Sequence, residues 1–278
     1  MRGKTLTRYA VACLASGALA VGLLACGDED AQTLTFTLSG RGRAVEIAAP
    51  DSADTGLAEI TLENNVSREG DLQLIRAEGD HSADEVVQSL GRAMKGQAFP
   101  DWFFAGGGVG PTAPGASQTV TQVLEPGTYY AFDTSGGPPD PRTAVAIEVN
   151  GESSDDEISG PDATVSAVDY GFEAEGLTEG TTEIVFENIG AQPHHLIASP
   201  LIGDATAEDV ERFFKTEKGK PPLSERGTQS TAVVEGSESQ LVTLDLKPGR
   251  YVFYCFISDR QGGPPHALKG MVDEFAVE

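Results

Sequence analysis

The chain has 278 residues, enough for one large or two ordinary domains. Lysine and arginine number 19 against 43 aspartates and glutamates, a net charge of −24, which excludes nucleic acid and anionic lipid headgroups as electrostatic partners. With 33 glycines, 16 prolines and 7% aromatic residues among recurrent β-branched runs, the composition favours a loop-rich β protein over a helical one.

The N-terminus carries Arg2, Lys4 and Arg8, then runs from Tyr9 to Ala25 almost wholly in small or apolar residues. A basic start and so short an apolar stretch predict a secretion signal over residues 1–25 and not a membrane span. Leu23-Leu24-Ala25-Cys26 resembles a bacterial lipobox, which implies cleavage before Cys26 and a diacylglycerol on its sulfur. Residues 26–33, with Asp28-Glu29-Asp30, then form a polar tether anchored by lipid. The expected location is extracytoplasmic, on the bacterial cell envelope. Loss of the three cations takes the net charge to −27, so an electrostatically steered protein partner is basic. Of the three cysteines, Cys13 leaves with the signal and Cys26 is lipidated, so Cys255 has no partner for an intramolecular disulfide.

The body of the chain is an internal repeat. Ala58-Glu59-Ile60-Thr61-Leu62-Glu63-Asn64 matches Thr182-Glu183-Ile184-Val185-Phe186-Glu187-Asn188. Further on, Leu124-Glu125-Pro126-Gly127-Thr128-Tyr129 matches Leu246-Lys247-Pro248-Gly249-Arg250-Tyr251, and Gly136-Gly137-Pro138-Pro139 matches Gly262-Gly263-Pro264-Pro265. Matching blocks in one order define a duplicated domain over 34–150 and 163–278, joined by the acidic linker 151–162. Each half predicts short strands, among them Ile184–Phe186, Leu241–Leu244 and Tyr251–Phe256, the last entered by the Pro248-Gly249 turn. Each also predicts one helix: residues 82–90, and Ala207–Lys215 behind the N-cap Thr206. The expected fold is all-β: two tandem Greek-key β-sandwich domains, each with one inserted short helix.

Alignment of the halves isolates a set of donors. His194 falls opposite Gly70, Cys255 opposite Asp133 and His266 opposite Asp140, and nothing like a thioether stands opposite Met271. Each residue has a plain alternative: Cys255 as core packing, His266 as a turn residue, Met271 as core filler. Together, and all missing from the sister copy, they make the donor set of a mononuclear copper site with a weak axial Met. His194 and His195 are adjacent, and on a strand only one faces inward; the Pro193-His194 placement favours His194.

Residues 163–278 resemble a cupredoxin, the fold of plastocyanin and azurin. Asn188-Ile189-Gly190-Ala191-Gln192-Pro193-His194 is similar to the segment carrying that family's first copper histidine, and Cys255, His266 and Met271 are similar to its C-terminal ligand loop. Ten residues separate Cys255 from His266, more than in the small electron carriers; copper nitrite reductases carry a longer Pro/Gly-rich loop here. The resemblance implies one type-1 copper held by His194, Cys255, His266 and Met271. Asn188 is expected just outside that shell, tying the two ligand-bearing segments together.

The chain holds only four histidines, too few for the further copper centres of multicopper oxidases or nitrite reductases, so it is expected not to be an enzyme. The expected function is a membrane-anchored cupredoxin-like lipoprotein that binds one copper and transfers electrons with a basic redox partner such as a cytochrome. The alternatives are a copper-holding or copper-delivering lipoprotein, and a metal-free tandem β-sandwich binding module.

Overall fold

The computed structural model describes residues 31–41, 44–137, 140–161 and 163–277. The signal segment, Cys26 and most of the tether lie outside the described residues. Ala31–Glu278 is one compact unit that carries every described strand and the whole described core. No helix among the described residues is long and apolar enough to cross a membrane.

The first half runs β1 (Gln32–Arg41), β2 (Ala44–Ala48), β3 (Ser52–Asp54), β4 (Gly56–Asn64), β5 (Gly70–Ala77), α1 (Ala83–Ala93), β6 (Phe103–Thr112), β7 (Ser117–Leu124), β8 (Gly127–Phe132) and β9 (Val145–Asn150). The second half follows with β10 (Thr164–Val168), β11 (Gly171–Glu175), β12 (Gly180–Asn188), β13 (Ile197–Pro200), α2 (Ala207–Thr216), β14 (Gln229–Ser230), β15 (Ser239–Leu246), β16 (Gly249–Tyr254) and β17 (Val272–Val277). The fold is all-β with sandwiched sheets and one short helix per half, as expected. The last two residues of the expected tether are strand, because Gln32 and Thr33 pair with Ala58 and Glu59 of β4.

Strand pairing repeats between the halves. Strand β1 lies parallel to β4 and β10 parallel to β12; β4 is antiparallel to β7 and β12 to β15. Opposite these, β5 pairs with β8 and β13 with β16. Alternating burial along β4 and β15 turns one face of each strand inward, as a half-covered sheet requires. Local devices repeat as well. Ser82 and Thr206 cap their helices in reciprocal boxes with Glu85 and Asp209. Tyr129 and Tyr251 accept the backbone N–H groups of Glu125 and Lys247 across the turn before β8 and β16.

The halves share one eight-stranded sheet, ordered β11-β10-β12-β15-β7-β4-β1-β2. Its central joint is short, with Gln240 opposite Gln122 and Leu241 opposite Thr121. Both glutamines are buried there: Gln240 Nε2 donates to Gln122 Oε1 at 2.6 Å and to the Gly108 carbonyl, and Gln122 Nε2 donates to the Gly106 carbonyl. One apolar core runs through both halves, including Leu38, Ile60 and Leu72 on one side and Phe186, Phe253 and Cys255 on the other.

Candidate metal centre

Three segments at one end of the second half deliver the donors. His194 lies in the β12–β13 connection and is held by a two-way backbone bridge, its N–H to Val234 O at 3.0 Å and Val234 N–H to its own carbonyl at 2.9 Å. Cys255 is the first residue past β16. The following loop returns so that His266 N–H bonds Ile257 O and Ala267 N–H bonds Cys255 O, which sets His266, at the head of a 3-10 turn over His266–Lys269, beside the cysteine. Gly270 closes that turn at φ 105°, a left-handed conformation that suits glycine. Met271 follows, fully buried in the same core cluster as Cys255, with its N–H on the His266 carbonyl.

The structure brings His194, Cys255 and His266 together. Their donor atoms lie within 4.8 Å of one another and all three residues are fully buried. His266 Nδ1 is 3.1 Å from His194 Nδ1 and 3.6 Å from Cys255 Sγ. With metal–nitrogen bonds of about 2.0 Å and metal–sulfur bonds of about 2.3 Å, a trigonal centre separates its nitrogens by about 3.5 Å and nitrogen from sulfur by about 3.7 Å. The observed spacings need only small shifts to reach those values.

Carboxylates hold the far side of both rings. His194 Nε2 lies 2.8 Å from Asp169 Oδ1, and His266 Nε2 lies 3.0 Å from Asp259 Oδ1. Burial pushes each acid upward, but its hydrogen bonds outweigh that and hold both carboxyls below the usual range. Asp169 is bonded by His194 and by the N–H groups of Ala191 and Gln192; Asp259 is bonded by Lys269 and Tyr170 and lies beside His266. An ionised carboxylate at Nε2 keeps the ring proton there and leaves the Nδ1 lone pair facing inward. Two lone pairs 3.1 Å apart repel unless a proton or a cation lies between them. Burial lowers the pKa of both rings, His266 to about 4, which disfavours the proton. The donor set therefore fits a soft or borderline metal cation such as copper.

Burial also pushes the Cys255 thiol up to about 12, opposed by the backbone N–H groups of His195 and Ile257 that face it. A coordinated metal ionises such a thiol outright. His195 is occupied elsewhere. Its Nε2 accepts the Phe256 N–H at 3.0 Å, so the ring braces the β16 exit and stays outside the donor cluster.

Asn188 is buried, but its bonds correct the expectation for it. Asn188 Nδ2 donates to the carbonyls of Gln192 and Val234, and its Oδ1 accepts the Gly190 N–H. Asn64 in the first half makes the same set, to Arg68 O, Thr112 O and the Val66 N–H. Among the described residues Asn188 thus buttresses its own loop, a device common to both halves, and makes no bond to the Cys255–Met271 segment.

The equivalent region of the first half is filled by other chemistry. Asp133, at the cysteine position, pairs with Arg68, and Asp71 accepts the N–H and hydroxyl of Thr134. Asp140 pairs with its neighbour Arg142. A Cβ on Gly70, at the His194 position, meets Leu38 Cδ1 at 2.4 Å. In the second half the residue in register with Leu38 is Ala167: Leu38 stands opposite Asn64 and Ala167 opposite Asn188. Alanine leaves room for the imidazole, and leucine takes it.

The long Cys–His connection also has a structural reason, which the sequence alone did not disclose. It crosses to the first half. Phe99 N–H bonds Arg260 O at 2.8 Å and Gly263 N–H bonds Gly96 O at 2.9 Å. Arg260 pairs with Glu235 at 2.8 Å, reaches Phe103 O at 3.0 Å and lies over the Phe104 ring.

No protein-family model matches the chain, and no curated protein matches it. Solved structures do. Auracyanin from the photosynthetic bacterium Roseiflexus castenholzii is 21% identical over 41% of this chain and 94% of its own, with a TM-score of 0.29. A copper nitrite reductase from Nitrosomonas europaea is 12% identical over 90% of this chain and 94% of its own, at 0.26. A blue copper oxidase from the same organism is 9% identical over 89% and 86%, at 0.25. At scores this low the likenesses decide nothing about the site, whose chemistry stands on its own geometry. One expectation is corrected: the histidine count set the enzymes aside, yet similar solved structures include copper-dependent enzymes, so that exclusion is withdrawn.

Proposed function

We propose that the chain is a cupredoxin-like lipoprotein that holds one type-1 copper between His194, Cys255 and His266, with Met271 as axial donor, and passes single electrons on the outer face of a bacterial membrane. One observation carries this reading: two buried imidazoles, each with its Nε2 against a carboxylate of Asp169 or Asp259, face each other Nδ1 to Nδ1 beside a buried thiol. Bound copper supplies the exchange between two oxidation states. The chain supplies a rigid cage, because each donor is pinned by backbone bonds or by a carboxylate and little rearrangement accompanies the exchange.

Anchoring through Cys26 rests on the lipobox and on the signal-like segment before it. A basic redox partner such as a cytochrome fits the net charge of −24. Copper titration of the Ala31–Glu278 unit, followed by visible absorption, tests the reading. An intense thiolate-to-copper band saturating at one copper per chain, absent in Cys255→Ser, is the expected result. Tight copper binding without that band favours copper storage or delivery, and full affinity in Cys255→Ser defeats the site.

A further inference from the structure

A cavity of about 570 Å³ lies between α1 of the first half and the loops that carry the metal donors. Its first-half wall is mainly apolar, with Leu90, Ala93 and Met94 and the rings of Phe99 and Phe103, alongside Gln73 and Lys95. Its second-half wall is Pro193, Phe256, Ile257 and Pro265. Pro193 precedes His194, Phe256 follows Cys255 and Pro265 precedes His266, so the cavity adjoins every residue of the donor triad in the chain.

Apart from Lys95, which is exposed to water, the polar groups in these walls are already engaged. Gln73 Nε2 donates to the carbonyls of Leu74, Gly107 and Val233, and its Oε1 accepts the Val233 N–H. Glu235 accepts the Ala105 N–H and pairs with Arg260. Ser258 donates to Gly263 O. Nothing in the interior calls for a charged guest. At the rim, Met94 and Phe256 are 60% and 42% exposed, two of the few large apolar side chains that the described surface leaves in water. Cavities of about 300–1,000 Å³ with apolar walls are the usual size for small-molecule sites. The contacts of Gly96 with Gly263 and of Phe99 with Arg260 fix the mouth between the two halves, so the space is largely preformed.

We propose that this cavity binds a small, uncharged, largely apolar molecule, and that the occupant acts on the metal centre through Pro193, Phe256 and Pro265. Binding itself does not require the copper reading; only the effect on the centre rests on it. The two are separated by working first without metal.

The probe is N-phenyl-1-naphthylamine, an uncharged dye that fluoresces in apolar surroundings, titrated into the metal-free Ala31–Glu278 unit. Saturable binding of one dye per chain is expected. Ala93→Phe, which fills the space, should weaken it about tenfold or more, and Met94→Lys, at an exposed position where folding is not at stake, should weaken it severalfold. A thermal melt reports whether each variant folds. Absence of saturable binding overturns the proposal, as does unchanged binding in folded Met94→Lys and Ala93→Phe; if Ala93→Phe does not fold, Met94→Lys decides. In copper-loaded protein, saturating dye should shift the visible band of the wild type, and the same shift in Met94→Lys should need severalfold more dye. A wild-type band that stays in place while dye is bound overturns the effect on the metal.

Discussion

The Nδ1 atoms of His194 and His266 face one another at 3.1 Å, while separate carboxylates, Asp169 and Asp259, take the opposite nitrogen of each ring. The pair is fully buried, and with both ring protons held on the carboxylates the two bare nitrogens repel each other. A metal cation held by both nitrogens and the Cys255 sulfur would turn mutual repulsion into coordination.

The carboxylates should matter to affinity more than to colour. Asp169→Asn and Asp259→Asn keep all donor atoms and remove the charge that fixes each tautomer. Each is expected to weaken copper binding by about 10–100-fold, the usual effect of losing an outer hydrogen-bond partner of a metal ligand. A competition titration with a chelator measures the loss, and the band intensity per bound copper should hold.

Ala167 sets the space for His194. Ala167→Leu reproduces the Leu38 arrangement of the first half, where leucine lies 2.4 Å from the Cβ position of the histidine site. Overpacking of this kind costs about 1–3 kcal/mol. The expected outcome is a lower melting temperature together with loss of copper binding. Copper bound as tightly as in the wild type would show that the ring does not need that space.

The clasp formed by Arg260 should hold the ligand loop in place. Arg260→Ala leaves Glu235, only 12% exposed at its side chain, without its cation and frees the Phe103 carbonyl. A loss of about 2 kcal/mol in urea unfolding is expected for a partly buried pair with such hydrogen bonds. Arg260→Lys should recover part of it, since lysine restores the charge without the forked geometry.

A pH effect belongs to the first half. Burial raises the Asp71 carboxyl to about 6, with Asp133 adding to the rise and Thr134 opposing it. In the unfolded chain an aspartate titrates near about 3.9. Between those values the folded state holds the proton more tightly, so this group's contribution is full below about 4 and is lost as pH rises through about 6. Thermal melts at pH 4.5 and 7.5 should therefore differ less, in that direction, for Asp71→Asn than for the wild type. An equal difference in both proteins would contradict the assignment.

Much of this was legible in the residues. The repeat blocks marked both halves, and the donors stood out because Gly70, Asp133 and Asp140 replace them in the sister copy. The cap Thr206 announced its helix, and the repeat placed the counterpart over residues 82–90. Asp169 was missed, although the same subtraction reaches it: two residues past Ala167 stands Asp169, and two past Leu38 stands Gly40. Asp259 and the clasp lay beyond reach, since they depend on where an irregular ten-residue loop turns, and glycine-rich loops carry little periodic signal. The role expected of Asn188 failed for another reason. An asparagine at a strand end, six residues before a candidate ligand, suggests a ligand support, but Asn64 does the same work where no donors exist. The shared eight-stranded sheet hangs on two residue pairs at Gln122 and Gln240, too few to mark the sequence.

Copper-edge X-ray absorption on the loaded Ala31–Glu278 unit tests the centre most directly. One sulfur near about 2.2–2.3 Å and two imidazole nitrogens near about 2.0 Å, the sulfur disappearing in Cys255→Ser, is the predicted result. A shell of nitrogen and oxygen alone in the wild type would mean that the metal does not sit between His194, Cys255 and His266.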